Sequence, residues 1–296
     1  MVHAALKSGN VAVITGAGFG GIGFAVASTL ASRFSMHVVL ADISRDALDE
    51  AEKHLIAQGV SEDRFETTVL DVSEPSGKGF FELADHVYQK HGHVDFLHLN
   101  AGVGGPSKSY GADMLEAFQK IMGVNLRGVL AGSAAFVERM VAQDSPAAVI
   151  ITGSKQGMTN PPGTGAAYNA SKAAVKSYAE SLAHDLLSTR VTVKLLIPGW
   201  VHSRLSSRSA TVGDFAKAQK PAGAWTGEQC AEELFSRLDN DEFYILCPDN
   251  ETSEQLDHAR WMWNAEDITK KRPALSRWNP AYEAEFKKYI EDKVGK

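Results

Sequence analysis

Tyr168 and Lys172 stand four residues apart in Tyr168-Asn169-Ala170-Ser171-Lys172, a spacing that puts both heads on one helix face, one turn apart. A free phenol, with a pKa of about 10, exchanges protons poorly at neutral pH. A neighbouring ammonium stabilises the phenolate and lowers that pKa, which makes Tyr168 a candidate general acid/base. Ser154, fourteen positions upstream, closes the run Ile150-Ile151-Thr152-Gly153-Ser154. There its hydroxyl is placed to hydrogen-bond a substrate oxygen and orient it beside the phenol. The tail holds a similar triplet, with Tyr289 and Lys293 four apart and Ser276 thirteen residues upstream of that tyrosine. Spacing alone is therefore weak, and context separates the two sets. Ser154 follows a buried-type strand, Tyr168 opens a long helix, and another strand ending in Pro198-Gly199 comes next. The tail set follows no strand and reads as an exposed helix face. Taken singly, Tyr168 also reads as a buried hydroxyl, Lys172 as a helix-surface cation and Ser154 as a cap.

A second feature lies near the amino terminus. Thr15-Gly16-Ala17-Gly18-Phe19-Gly20-Gly21-Ile22-Gly23 sits between an apolar run and a segment of helical period. A backbone stripped of Cβ atoms can approach a pyrophosphate there and aim helix N–H groups at it. Gly18, Gly20 and Gly23 satisfy the general G-x-G-x-x-G spacing, whereas Gly16, Gly21 and Gly23 give a related pattern with a longer gap, and both registers stand. The bland alternative is a glycine-rich connection that serves only tight packing. Asp42 closes the second run, Val38-Val39-Leu40-Ala41-Asp42, where a carboxylate can accept hydrogen bonds from both adenosine ribose hydroxyls. The same carboxylate repels a ribose phosphate, so NAD is favoured over its phosphorylated counterpart, although Arg45 nearby can soften that preference. Asp42 reads alternatively as a helix N-cap, a task Ser44 can perform instead. Asp71-Val72 and Asn100-Ala101-Gly102 follow the next two runs, at the strand ends where open α/β sheets bind ligands. Each is also an ordinary turn sequence.

These residues need a frame. Short apolar runs at 11–15, 37–41, 65–70, 94–99, 147–152, 191–197 and 243–247 alternate with helical segments at 22–33, 45–58, 77–91, 112–142 and 166–188, the fourth broken around Gly123. That alternation predicts a doubly wound parallel sheet in a three-layer αβα arrangement, its Val, Leu and Ile suiting burial on both faces. Residues 199–226 are too irregular for a confident helix and too apolar for a plain linker, and read as a lid-like substrate loop. Trp200, His202, Phe215 and Trp225 are candidate walls for an apolar or ring-bearing substrate. Lys155, Gln156, His202 and Arg204 are candidate polar anchors, though each is more ordinarily a solvated side chain. The polar tail holds Trp261, Trp263 and Trp278, so it should dock on the body or on a neighbouring subunit. The division expected is a 1–250 catalytic domain with a 251–296 extension.

In order and context these motifs resemble those of the short-chain dehydrogenase/reductase family over roughly residues 8 to 250. The resemblance implies a Rossmann-type, NAD-dependent alcohol dehydrogenase or carbonyl reductase. It implies cofactor contacts from Gly16, Gly21, Ile22, Gly23, Asp42, Ile43, Asp71, Val72, Asn100, Ala101 and Gly102. Ser154, Tyr168 and Lys172 match the family's catalytic residues, with Tyr168 and Lys172 also at the cofactor and Lys172 on the nicotinamide ribose. Asn125, in Val124-Asn125-Leu126, matches an asparagine implied to hold a water in a proton relay with the lysine. Pro198, Gly199, Val201 and Ser203 match the segment at the nicotinamide amide. Two departures stand out: four residues separate Gly16 from Gly21 where the family usually has three, and Pro161-Pro162-Gly163 lengthens the path from Ser154 to Tyr168. A homodimer or homotetramer is implied as well, with the apolar helices around 131–141 and 173–187 as candidate contacts.

Composition narrows the remaining classes. In 296 residues, 44% hydrophobic and 22% charged content supplies a sizeable core, and a net charge of −6 argues against broad capture of nucleic acid or anionic membrane. No run approaches the ~18 apolar residues of a membrane span. Cys230 and Cys247 are too few for a disulfide framework, so a soluble, cytoplasmic protein with two structural thiols is expected. No metal is expected: His91-Gly92-His93 is an isolated pair, reads as a turn, and has no third ligand nearby at helical spacing. Two rival readings remain, a non-redox isomerase, epimerase or dehydratase on the same cofactor, and a cofactor-sensing binding protein. Intact Ser154, Tyr168 and Lys172 weigh against the second.

Overall fold

The computed structural model describes residues 3–106, 109–112, 114–207 and 211–295. Asp113 of the predicted fourth helix, 208–210 of the predicted loop, and Met1, Val2 and Lys296 lie outside the described residues. Seven strands form one parallel sheet: β1 (Val11–Thr15), β2 (His37–Asp42), β3 (Phe65–Val69), β4 (Phe96–Leu99), β5 (Ala147–Thr152), β6 (Val191–Pro198) and β7 (Tyr244–Cys247). Their order is β3-β2-β1-β4-β5-β6-β7. Chain direction across the sheet therefore reverses between β1 and β4, and side loops diverge there to open a crevice.

Every residue of β1 and β5 is buried, because helices cover both faces of the sheet. On one face α1 (Ile22–Ser32), α2 (Arg45–Ala57) and α9 (Gly227–Arg237) pack on Ile14, Leu40, Phe96 and Ile245. On the other, α3 (Lys78–His91), α5 (Gly128–Ala142) and α6 (Ala166–Asp185) pack on Val13, Val39, Leu97 and Val149. Alternate residues of each strand thus serve two separate apolar layers.

The predicted helix over 112–142 divides into α4 (Met114–Met122) and α5, joined by a π-helical turn over Gly123–Arg127. The break expected at Gly123 is this wider turn, in which the Gly128 N–H donates to the Gly123 carbonyl. The loop after β6 differs from its irregular sequence by holding two short helices, α7 (Arg204–Ser207) and α8 (Val212–Lys217). Thr211 and Asp214 form a reciprocal capping box on α8 that the reading of 199–226 overlooks.

The tail forms α10 (Glu254–Thr269) and α11 (Glu283–Val294). They close around Trp263, whose indole N–H donates to Ser276 and whose ring meets Phe286, Tyr289 and the Arg272 guanidinium. Tyr289 is therefore half-buried against Trp263 and Ser276 fully buried, whereas Lys293 is exposed as expected, so only two members of the second Tyr-Lys-Ser triplet serve packing. Trp261 and the Asp257 carboxylate tie α10 to the body. Cys230 and Cys247 are buried free thiols. Among the described residues no helix is long and apolar enough to cross a membrane.

Candidate active site

A cleft of about 1120 Å³ runs along the carboxyl ends of the strands. Its lining follows the sheet order: Asp71 after β3, Asp42 and Ile43 at β2, Gly16 to Ile22 after β1, Asn100 to Gly105 after β4, Ser154 after β5, Pro198 and Gly199 at β6, and Asp249 after β7. Tyr168 and Lys172 reach it from α6, and Val72, Val201 and Ser203 complete the overlap with the expected set. Two expected members, Gly23 and Asn125, do not line it.

The glycine turn explains the first exception. Gly21 is the N-cap of α1, so the register through Gly16, Gly21 and Gly23 describes the strand-to-helix passage. A Cβ at Gly23 would lie 2.4 Å from the Gly16 carbonyl oxygen and 2.6 Å from Asn100 Nδ2. Gly23 thus lets α1 seat against β1 and touches nothing in the cleft. Gly23→Ala should push the helix start off the turn, costing about 1–3 kcal/mol. A fall in Tm of several degrees with weaker dinucleotide binding is expected, and an unchanged Tm would contradict this packing.

The longer turn also makes contacts of its own. Gly20, at φ +101°, accepts a hydrogen bond on its carbonyl from the Arg204 N–H at 2.9 Å, and a Cβ there would meet Phe215 at 2.7 Å. The turn is thereby clasped to the loop after β6. Phe215 stacks on His202 at 4.8 Å, and Trp225 packs against the core through a bridge with Val201. Of the four aromatic walls expected, only Trp200 lines the cleft, where Leu205, Val103 and Val124 are among the other apolar lining residues. Phe215, with His202 stacked on it, covers the glycine turn instead.

Asp42 accepts from Gly18 N at 3.0 Å and from Ser44 N at 2.9 Å, while Ser44 itself caps α2 by accepting from Ala47 N. The helix-cap reading of Asp42 is thus excluded. Arg45 is directed away, onto the Thr67 hydroxyl at 3.1 Å and Asp49 at 3.6 Å. Asp71 lines the cleft and also turns its own backbone by accepting from Ser73 N and Oγ. A narrow passage bounded by Cβ-free turns, with a carboxylate at the β2 end, fits a dinucleotide. At Gly16, φ +63°, a Cβ would lie 2.8 Å from Ala101 Cα, so the two loops approach as close as backbone allows.

At the other end, Lys172 is buried and its ammonium donates to the Thr152 carbonyl at 2.8 Å. Burial pulls its pKa down to about 8. Burial raises the Tyr168 pKa above its ordinary 10, a larger influence than the neighbouring Ser154 hydroxyl, which favours phenolate. This corrects the expectation that the lysine sets the acidity of the phenol. The ammonium lies 5.9 Å from the centre of the Tyr168 ring and is directed at a carbonyl.

Asn125, in the π turn, spends its side chain on structure. Its Oδ1 accepts from Val103 N at 2.8 Å, and Nδ2 donates to the Val103 carbonyl and to Ser171 Oγ. It pins the Gly102–Val103 loop to α6 one residue from Lys172. Three polar residues that the sequence reading missed join the strand ends behind the site. Thr15 Oγ1 accepts from Asn100 N, Asn100 Nδ2 donates to the Thr15 carbonyl, and Thr152 Oγ1 donates to Asn100 Oδ1. Since that bond uses the only proton of Thr152, fully buried His98 donates from Nε2 at 2.8 Å. Burial pushes the His98 pKa down to about 3, so the ring stays neutral. The continuous apolar runs of β1, β4 and β5 hide such polar members, each a single Thr or His in an otherwise apolar strand.

Among the expected anchors, Lys155, Gln156 and Arg204 line the cleft and His202 does not. Lys155 is neither free nor solvated: its ammonium lies 3.1 Å from Asp249 and 2.5 Å from Asp257.

The chain matches the short chain dehydrogenase family model over residues 10–211, and it belongs to the short-chain dehydrogenase/reductase family. It is an oxidoreductase of that family. It is 32% identical, over 80% of its length and 84% of the relative's, to the 1-deoxy-11-beta-hydroxypentalenate dehydrogenase of Streptomyces avermitilis. A short chain dehydrogenase/reductase from Burkholderia phymatum, solved in complex with NAD, superposes with a TM-score of 0.75 at 31% identity, covering 90% of this chain and 96% of that one. An alcohol dehydrogenase from Thermococcus sibiricus, complexed with 5-hydroxy-NADP, superposes with a TM-score of 0.66 at 26% identity, covering 80% and 95%.

Proposed function

We propose that the chain is an NAD-dependent alcohol dehydrogenase or carbonyl reductase that interconverts a secondary alcohol and a ketone, with Tyr168 as general acid/base. The observation that carries this is the Tyr168 phenol in the same cleft as Ser154, the glycine turn and Lys172. The nicotinamide, when bound, supplies or accepts the hydride. Gly16, Gly21 and Ile22 line its phosphate passage, Asp42 and Ile43 its adenosine end, and Pro198, Gly199, Val201 and Ser203 its nicotinamide end. In reduction Tyr168 gives its proton to the oxygen that the hydride leaves negative; in oxidation it removes the alcohol proton. Ser154 fixes that oxygen, Lys172 holds the ribose side of the site positive, and Asn125 positions the loop between them.

NAD rather than NADP is supported by the Asp42 carboxylate and by the engagement of Arg45 with Thr67 and Asp49. An apolar or ring-bearing substrate is supported by Trp200, Leu205 and Val103, and by the pairing of Lys155 with two aspartates. Residues 1–250 act as the catalytic unit and 251–296 as an extension docked on it. A cytoplasmic homodimer or homotetramer fits two unoxidised thiols and the half-exposed Leu130 on α5. The test is a panel of aromatic, steroid-like, terpenoid and aliphatic secondary alcohols, run separately with NAD and NADP. Turnover with reduction of NAD supports the reading, and conversion without net change in the reduced-nicotinamide band replaces it with the non-redox rival.

The raised pKa of Tyr168 fixes the sign of the pH response. At neutral pH the phenol carries its proton, the form that ketone reduction needs. Alcohol oxidation needs the deprotonated form, so its kcat/KM should climb up to about tenfold per pH unit between roughly pH 6 and 9 while reduction does not climb. A flat oxidation profile across that range would show that the phenol is already ionised.

A further inference from the structure

At the amino-terminal ends of β2 and β3, away from the cleft, three side chains from separate elements converge. They are His37, first residue of β2, Glu66 of β3, and His91, last residue of α3. Their ligand atoms lie within 4.8 Å of one another. Glu66 Oε1 is 3.8 Å from His37 Nε2 and 3.3 Å from His91 Nε2. Zinc bonds of about 2.0–2.2 Å in a tetrahedron put neighbouring ligand atoms roughly 3.3–3.6 Å apart, so these separations need little adjustment.

Each ligand is already oriented. His37 Nδ1 meets the Asp63 carbonyl at 3.1 Å, which fixes the proton on Nδ1 and leaves the Nε2 lone pair directed at the cluster. That Nε2 is buried and has no hydrogen-bond partner. Glu66 Oε2 is held by Lys90 at 2.7 Å and faces His86 Nε2 at 3.2 Å, which leaves Oε1 for the pair of histidines. The charge states match as well: burial and the neighbouring His91 lower the His37 pKa, favouring neutral imidazole, while Lys90 and the histidines hold the Glu66 carboxyl down at about 2.

We propose that His37, Glu66 and His91 form a zinc(II) site at the end of the sheet opposite the cleft, with water or His86 in the fourth position. Two imidazoles and one carboxylate suit zinc, and a metal held by them would tie β2, β3 and α3 together. The pair His91-Gly92-His93 contributes only its first member, since His93 faces Asp95 at 3.3 Å.

The test uses the untagged full-length chain, stripped with a chelator and titrated with zinc chloride, with cobalt(II) as a spectroscopic substitute. One zinc per chain should bind and raise Tm, and cobalt should give the visible bands of a tetrahedral site. His91→Asn and Glu66→Gln should each weaken zinc by more than the about 10- to 100-fold that loss of an outer partner costs, and should abolish the bands. His184→Asn, at an exposed histidine, should change neither. Failure of the folded wild-type chain to retain zinc, or wild-type affinity in both site variants, overturns the proposal and leaves a carboxylate ringed by histidines. Oxidoreductase activity is not the readout, so this result stands apart from that of the substrate panel.

Discussion

Tyr168→Phe should lower kcat by about 10²- to 10⁴-fold in both directions while leaving dinucleotide affinity nearly unchanged. The ring is retained, so its packing beside Lys172 and the wall of the cleft survive; only the oxygen that moves the proton is lost. Ser154 then loses a neighbouring hydroxyl but still accepts from Gln156 N at 3.2 Å, so its loop should hold. Fluorescence titration with reduced NAD separates the two effects. Retained turnover would reject the acid/base role, and lost affinity would mean that the phenolic oxygen mainly binds cofactor.

Asp42→Asn should have the next largest effect, on the choice of dinucleotide. The carboxylate at the end of β2 bonds two backbone amides and presents a negative charge where an adenosine ribose would sit. A hydrogen bond to a charged group contributes about 1.5–3 kcal/mol, so the ratio of kcat/KM for NAD over NADP should fall roughly ten- to a hundredfold. The amide keeps an acceptor for the Ser44 N–H and nearly the same volume, which limits damage to the turn. A wild-type chain that prefers NADP, or a ratio unmoved by the substitution, would overturn the role assigned to Asp42.

Much of the frame was legible because burial on both faces forces continuous apolar strands, and helices between them keep their own period. The seven runs and five long helices fall within a few residues of their observed bounds. The cleft was legible for a related reason: a parallel sheet collects its strand ends at one edge, so Gly16, Asp42, Asn100, Ser154 and Gly199 meet without any knowledge of side-chain packing. What depends on packing was not legible. His202, Phe215 and Trp225 are aromatic and lie in the right loop, yet Gly20 gives Phe215 a seat over the turn and takes His202 with it. The acidity of Tyr168 was misjudged because helical spacing says nothing of the Thr152 carbonyl, which captures the lysine. His37, Glu66 and His91 share no local spacing at all; strand register and the end of α3 bring them together.

The contact of Gly20 with Arg204 and Phe215 carries a kinetic consequence. The cradle for phosphates and the segment flanking the substrate share this wall, so filling one reshapes the entrance to the other. Turnover should follow a compulsory sequence, dinucleotide arriving first and departing last, with its exit as the slowest event. Inhibition by the product dinucleotide should then be competitive toward the entering dinucleotide, inhibition by the other product noncompetitive toward it, and cutting back the Phe215 ring should quicken release.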